Sequence, residues 1–235
     1  SHDLLNGLLN SSVYIYLMDG INPSLNVQVG DVKTLPIPRG LDVKNEIISL
    51  VRAGVNIQKS KFAFSEDSFS FDPKSLDNIS APTEIIFEEE IRDAEMEVIR
   101  GCIDRTLLDS YDVLDNVRNR IYQNRGSNLS HFPHVNNSGP LNSGENIHQK
   151  NIPNKNLSED EYEDLIDNID GLKDKDLREI SEELEISPYT VAMVRHEHDY
   201  YTRDEKRDAA GRLLSYYLGC AMGRWDLDGL EPALP

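Results

Sequence analysis

Two short strings in this chain have the residue types of half a nuclease site. Asp31-Val32-Lys33 and Asp42-Val43-Lys44 each offer an Asp-x-Lys half-site, a carboxylate for a cation and an ammonium for a phosphate. Such a half-site needs a further acidic residue on a neighbouring strand. Neither string has one, and three-residue matches recur by chance. His196, His198 and Asp199 form one group of metal-ligating types, and His131 with His134 another. No second pair at structural-zinc spacing joins either group, and Cys102 and Cys220 lie far off in sequence. Solvated histidines are the simpler reading. Spacing supports neither a Ser/His/Asp nor a Cys/His arrangement. We therefore expect no catalytic, cofactor or metal site in this chain.

Residues 176–197 offer better material for binding. Leu177, Ile180 and Leu184 face inward on a first helix, Ile186 fills a turn, Ser187 caps a second helix and Pro188 takes its first position. Val191 and Val194 anchor that second helix. The pattern resembles a helix-turn-helix, whose outer face then offers Tyr189, Thr190, Arg195 and His196 to DNA. An ordinary corner between two helices makes the same cap and core demands. Glu185 stands where the DNA-binding form usually has glycine, and the outer face carries one permanent cation where phosphate binding normally uses several.

The elements that must position these residues follow from apolar periodicity. A helix is predicted over 3–21, with Leu5, Leu8, Leu9, Val13, Tyr16 and Leu17 on one stripe. Asn22-Pro23 stops it, because the residue before proline leaves the α region. Val27 and Val29 alternate with polar neighbours and predict a strand at 26–36, ended by Pro36 and Pro38. A further helix starts near Asp42. Residues 59–73 are aromatic and polar without helical period. A long helical arm is expected over 83–123, then a linker over 124–157 rich in Asn, Gly, Ser, His and Pro. Residues 158–235 read as a helical module with two Ser/Thr-x-x-Glu capping boxes, at Ser158/Glu161 and Thr202/Glu205. Gly219 and Gly223 lie four apart, the spacing of a tight contact. The expected fold class is mainly α with a small β element.

Bulk properties narrow the partners. The chain has 235 residues and a formal charge of −18. Its mean hydropathy of −0.51 suits helical modules joined by polar segments. Residues 159–185 hold thirteen acidic and three basic side chains, so more than half of the excess sits on one stretch that repels phosphate. Salt adaptation, a surface for a basic protein, or a fragment whose basic groove lies elsewhere each account for it. Two cysteines make no disulfide framework, and no apolar run approaches the ~18 residues of a membrane span. A cytoplasmic chain without membrane contact is expected. It starts without Met, and its first leucines already sit in mid-element, as in a piece of a longer protein.

Three separated blocks carry a family likeness. The first runs from Leu8 to Pro38, "LLNSS…INPSLNVQVGDVKTLPIP", and its "GDVKTLPIP" is similar to the string that closes the target-recognition region of DNA adenine methyltransferases. The second is "SKFAFSEDSFSFDP" within 59–73. The third, "LLSYYLGCAMGRWD", matches a C-terminal signature at Gly219, Cys220, Gly223, Arg224 and Trp225. In this order they resemble the C-terminal part of BREX-type, phage-defence adenine-specific DNA methyltransferases, relatives of restriction–modification enzymes.

The likeness implies a parent that moves a methyl group from S-adenosylmethionine to adenine N6. This chain would supply the end of target recognition and connecting helix (3–80), the helical arm (83–123) and the C-terminal module (158–235). Duplex DNA would be bound through the parent, with other defence-system proteins as further partners. Lys33, Tyr189, Thr190, Arg195 and Arg224 are the candidate contacts; for Arg224 the alternative is packing along a Trp225 that closes the core. No catalytic residue carries over. Asn22-Pro23-Ser24-Leu25 lacks the second proline and the aromatic of the methyl-transfer tetrad, whose ring stacks on the flipped base. No glycine-rich loop for the cofactor follows a strand, so the chain itself holds none. Two rivals remain: a helix-turn-helix regulator, and an acidic protein-interaction module that mimics DNA.

Overall fold

The computed structural model describes residues 1–22, 28–125, 159–184 and 186–225. Among the described residues the regular elements are all helical. The mainly α expectation is met, and the small β element is not seen.

The predicted 3–21 helix is two helices, α1 (His2–Leu9) and α2 (Ser12–Ile21). Ser11 divides them. Its backbone is extended, its hydroxyl donates to the Leu8 carbonyl at 2.7 Å, and the same oxygen accepts from Tyr14 N–H at 3.2 Å. This cap turns the chain although the apolar stripe continues.

The expected strand is corrected by α3 (Val29–Thr34). One carboxylate decides it. Asp31 accepts from the Gln28 N–H at 3.0 Å and from the Asn22 side-chain amide at 2.7 Å, closing a capping box at the helix start. The Asn22 amide and then the Gln28 N–H hold the Asp31 carboxyl below the ordinary range. Val29, which the strand reading would half-bury, is exposed. Residues 23–27 lie outside the described set.

Next come α4 (Leu41–Phe62), with Asp42 in its first turn, and a 3₁₀ turn at Pro73–Leu76. The predicted 83–123 arm breaks into α5 (Pro82–Ser110) and α6 (Asp115–Arg125). Asp112 makes the break at φ +50°, and the Val113 N–H returns to the Leu108 carbonyl at 3.1 Å. That is a Schellman closure with aspartate in the left-handed position. Then follow α7 (Glu159–Gly171), α8 (Leu177–Leu184), α9 (Pro188–Glu197) and α10 (Arg203–Ala221). Ser187 caps α9 with Pro188 in its first turn, and Thr202 with Glu205 forms the expected box on α10. Ser158 and the linker beyond residue 125 lie outside the described residues.

The chain divides into two compact units, one of residues 1–56 and 95–151, the other of 57–94 and 152–235. In the first, Leu8, Val13, Ile47, Leu50, Val98, Leu107, Leu108 and Ile121 are buried. A Cβ on Gly7 would stand 2.7 Å from methyls of Ile47 and Val51, so glycine lets α1 lie on α4. The second unit is built on Phe64, Leu76, Ile85, Ile86, Tyr201, Ala209, Leu213 and Tyr216. Its core thus joins two stretches widely separated in sequence.

Candidate functional site

The C-terminal end of α10 packs against the 63–72 segment of the same unit. Gly223 takes φ +69°, and the Arg224 N–H bonds the Gly219 carbonyl at 2.8 Å, so the chain reverses within one turn. The reversal lays the Trp225 indole on Gly219, where a Cβ would collide with the ring. Phe71 meets the indole at 5.0 Å between centroids, tilted by 60°. Arg224 stacks on the other partner surface, its guanidinium carbon 4.5 Å from the Trp225 centroid, and reaches Glu66 at 3.2 Å. Nearby, Tyr216 donates to Asp77. The arrangement closes the core with tryptophan and lays arginine along it, leaving that side chain 59% exposed.

Trp225 is the chain's one tryptophan and reports on this corner directly. Gly219→Val is expected to push the indole out, shifting its emission to the red and costing about 1–3 kcal/mol by overpacking. Unchanged emission and quenching by acrylamide would disprove the contact.

The other candidate contacts lie elsewhere. Lys33 is exposed on α3 in the first unit. Tyr189, Thr190 and Arg195 sit on α9 in the second, and all three are buried. The expected outward face of the helix-turn-helix is therefore an inward one. α9 packs against both α7 and α8, and seven of its ten residues are buried, so it has no wide solvent side. His196 stacks on Phe87 at 4.2 Å between ring centroids.

Arg195, 1% exposed, is the hub of a charged cluster that the sequence did not disclose. Its guanidinium donates to Glu90 of α5, to Glu205 of α10 at 2.8 Å, and through Nε to the Tyr200 carbonyl at 3.2 Å. The Tyr201 ring lies beneath it, 5.2 Å away. One cation therefore serves two carboxyl groups. Burial pushes the Glu90 carboxyl up to about 8 despite Arg195, with Glu205 and Asp93 adding to the rise. Burial also pushes at Glu205, but the Thr202 amide and hydroxyl together with Arg195 outweigh it and keep that carboxyl low.

A pH dependence follows. Glu90 holds its proton in the fold at pH values where an unfolded glutamate, near 4.3, has lost it. Its contribution is thus complete below about pH 4 and declines as the pH rises to about 8. Urea denaturation should show stability falling by on the order of 2 kcal/mol between about pH 5 and pH 8. Glu90→Gln should flatten that slope. An unchanged slope in the variant would show that other groups carry it.

Asp104 is a second buried carboxylate without a sequence signature. Fully buried on α5, it accepts the Ser12 N–H at 2.8 Å, at the first turn of α2. Burial raises its carboxyl to about 6, against hydrogen bonds from Ser12 and the Val13 N–H. Among the described residues, no group of three His, Cys, Asp or Glu side chains could hold a metal ion, and no helix is long and apolar enough to cross a membrane. No family model matches the chain, and no curated protein or solved structure matches it either.

Proposed function

We propose that this chain is the C-terminal, non-catalytic part of an S-adenosylmethionine-dependent adenine-N6 DNA methyltransferase of a phage-defence system. Its role is to carry the end of the target-recognition region and to hold the enzyme's C-terminal helices in place. Duplex DNA is met through the parent protein, in the cytoplasm, and other defence-system proteins are further partners. One observation supports the reading above the others. The second and third family-like blocks pack on each other: Phe71 lies on Trp225, and Glu66 pairs with Arg224 across 158 residues of sequence. The signature residues Gly219 and Gly223 have a physical task there, one admitting the indole and the other reversing the chain.

Lys33 and Arg224, both exposed, remain the side chains available for phosphate contact in this reading. The residues present do not fit the cofactor, since the tetrad and the glycine-rich loop are missing from the sequence. No step of methyl transfer is assigned to this chain.

The source reading frame upstream of residue 3 is the direct test. An Asn-Pro-Pro-aromatic tetrad and a glycine-rich loop encoded there support the proposal, and their absence overturns it. With that frame expressed, Trp225→Ala should lower adenine methylation of host DNA while leaving cofactor binding intact. Full methylation in the variant would remove the assigned role of the C-terminal corner.

A further inference from the structure

Helix α10 buries Ala209, Leu213 and Tyr216 and turns a second apolar face outward. Leu214, Tyr217, Leu218 and Met222 are 59%, 51%, 54% and 83% exposed. With Ala210, Gly211 and Ala221, also exposed, they form one stripe at helical spacing. Nothing lies within 4 Å of where a Gly211 Cβ would stand. The fold itself therefore gives no reason for a glycine in mid-helix, where its backbone entropy is a cost.

We propose that this face of α10 is a self-association surface, on which a second copy of the chain lays its own α10 antiparallel about a two-fold axis at Leu214. The register makes the stripe complementary to itself. Leu214 meets Leu214, Leu218 of one copy covers Ala210 of the other, and the exposed part of the Tyr217 ring, whose hydroxyl donates to the Ile79 carbonyl at 3.3 Å, faces Gly211. Large side chains fall on small ones at both ends, and Gly211 gains a use. Charge favours the same arrangement. Arg207 of one copy nears the C-terminal end of the opposite helix, whose last turn holds no basic residue, twice by symmetry. A parallel pairing would set Arg207 against Arg207 and small residues against small. Although the chain carries −18, the exposed charges of α10, Arg203, Asp204, Arg207 and Asp208, balance, so this helix is not repelled by its copy. A contact of about four turns buries on the order of 1,000 Å², which belongs to a weak, micromolar dimer. This inference does not rest on the methyltransferase reading.

Sedimentation of the full 235-residue chain at about 100 µM, well above such a dissociation constant, tests it. The expected result is a dimer whose mass is halved by Leu214→Glu, an exposed position where folding is not at risk. Met222→Lys is the second disrupting variant. Oxidation in a Cys220→Ala background fixes the direction: Leu214→Cys lies on the axis and should cross-link to itself, and Met222→Cys should not. A monomer at that concentration overturns the proposal, as does a dimer that survives Leu214→Glu. Equal cross-linking at both positions overturns the antiparallel register.

Discussion

Replacing Arg195 with methionine is expected to lower the stability of the second unit by about 3–5 kcal/mol. The side chain is enclosed, and its guanidinium is the counter-charge of Glu205 and a hydrogen-bond donor to Glu90. Methionine fills much of the same volume, so the loss isolates the charge. Removing one partner of a buried pair leaves the other desolvated and uncompensated, which costs far more than the net worth of the intact pair. Glu90 answers by keeping its proton, but Glu205 is tied to the Thr202 cap and stays ionised. The double variant Arg195→Met/Glu90→Met should recover a large part of the loss, because it removes the buried carboxyl together with the guanidinium that hydrogen-bonds it. Urea midpoints of the two variants measure this. Equal losses in single and double variants would show that packing, not charge, holds the site.

Asp104→Ala should cost the first unit about 2–4 kcal/mol, from backbone donors left buried at the start of α2. Helix starts are normally satisfied by a neighbouring residue in sequence, and Ser11 does this for Tyr14. Asp104 serves the Ser12 N–H from 92 residues away, fixing α2 on α5. Asp104→Asn keeps one acceptor and should lose less than half as much. Circular dichroism with urea titration separates the two. An alanine variant as stable as the parent would mean that water takes over the Ser12 and Val13 amides.

These residues also mark the limit of what was legible in the sequence. Caps written within four residues were readable, as Ser187-Pro188 and Thr202/Glu205 show, because their chemistry is local. The strand expected at 26–36 does not form because two valines in alternation weigh little against a carboxylate that closes a helix turn with Asn22 and Gln28. Arg195 reads as a surface cation because its partner Glu90 lies 105 residues upstream and nothing local announces it. α9 compounded the error: a helix buried on most sides has no polar face to set its orientation. At the C-terminal corner the tight glycine and the core-closing tryptophan were readable. Glu66, whose partner Arg224 lies 158 residues on, was not.

The order of synthesis matters for the second unit. Phe64, Leu76, Ile85 and Ile86 leave the ribosome well before Tyr201, Leu213 and Tyr216, their partners in the core, have been made. At about 5–20 residues per second the wait is on the order of ten seconds. Through that interval the nascent chain presents an apolar surface that nothing of its own can cover. An apolar surface left waiting for partners not yet made is a target for chaperones and for aggregation.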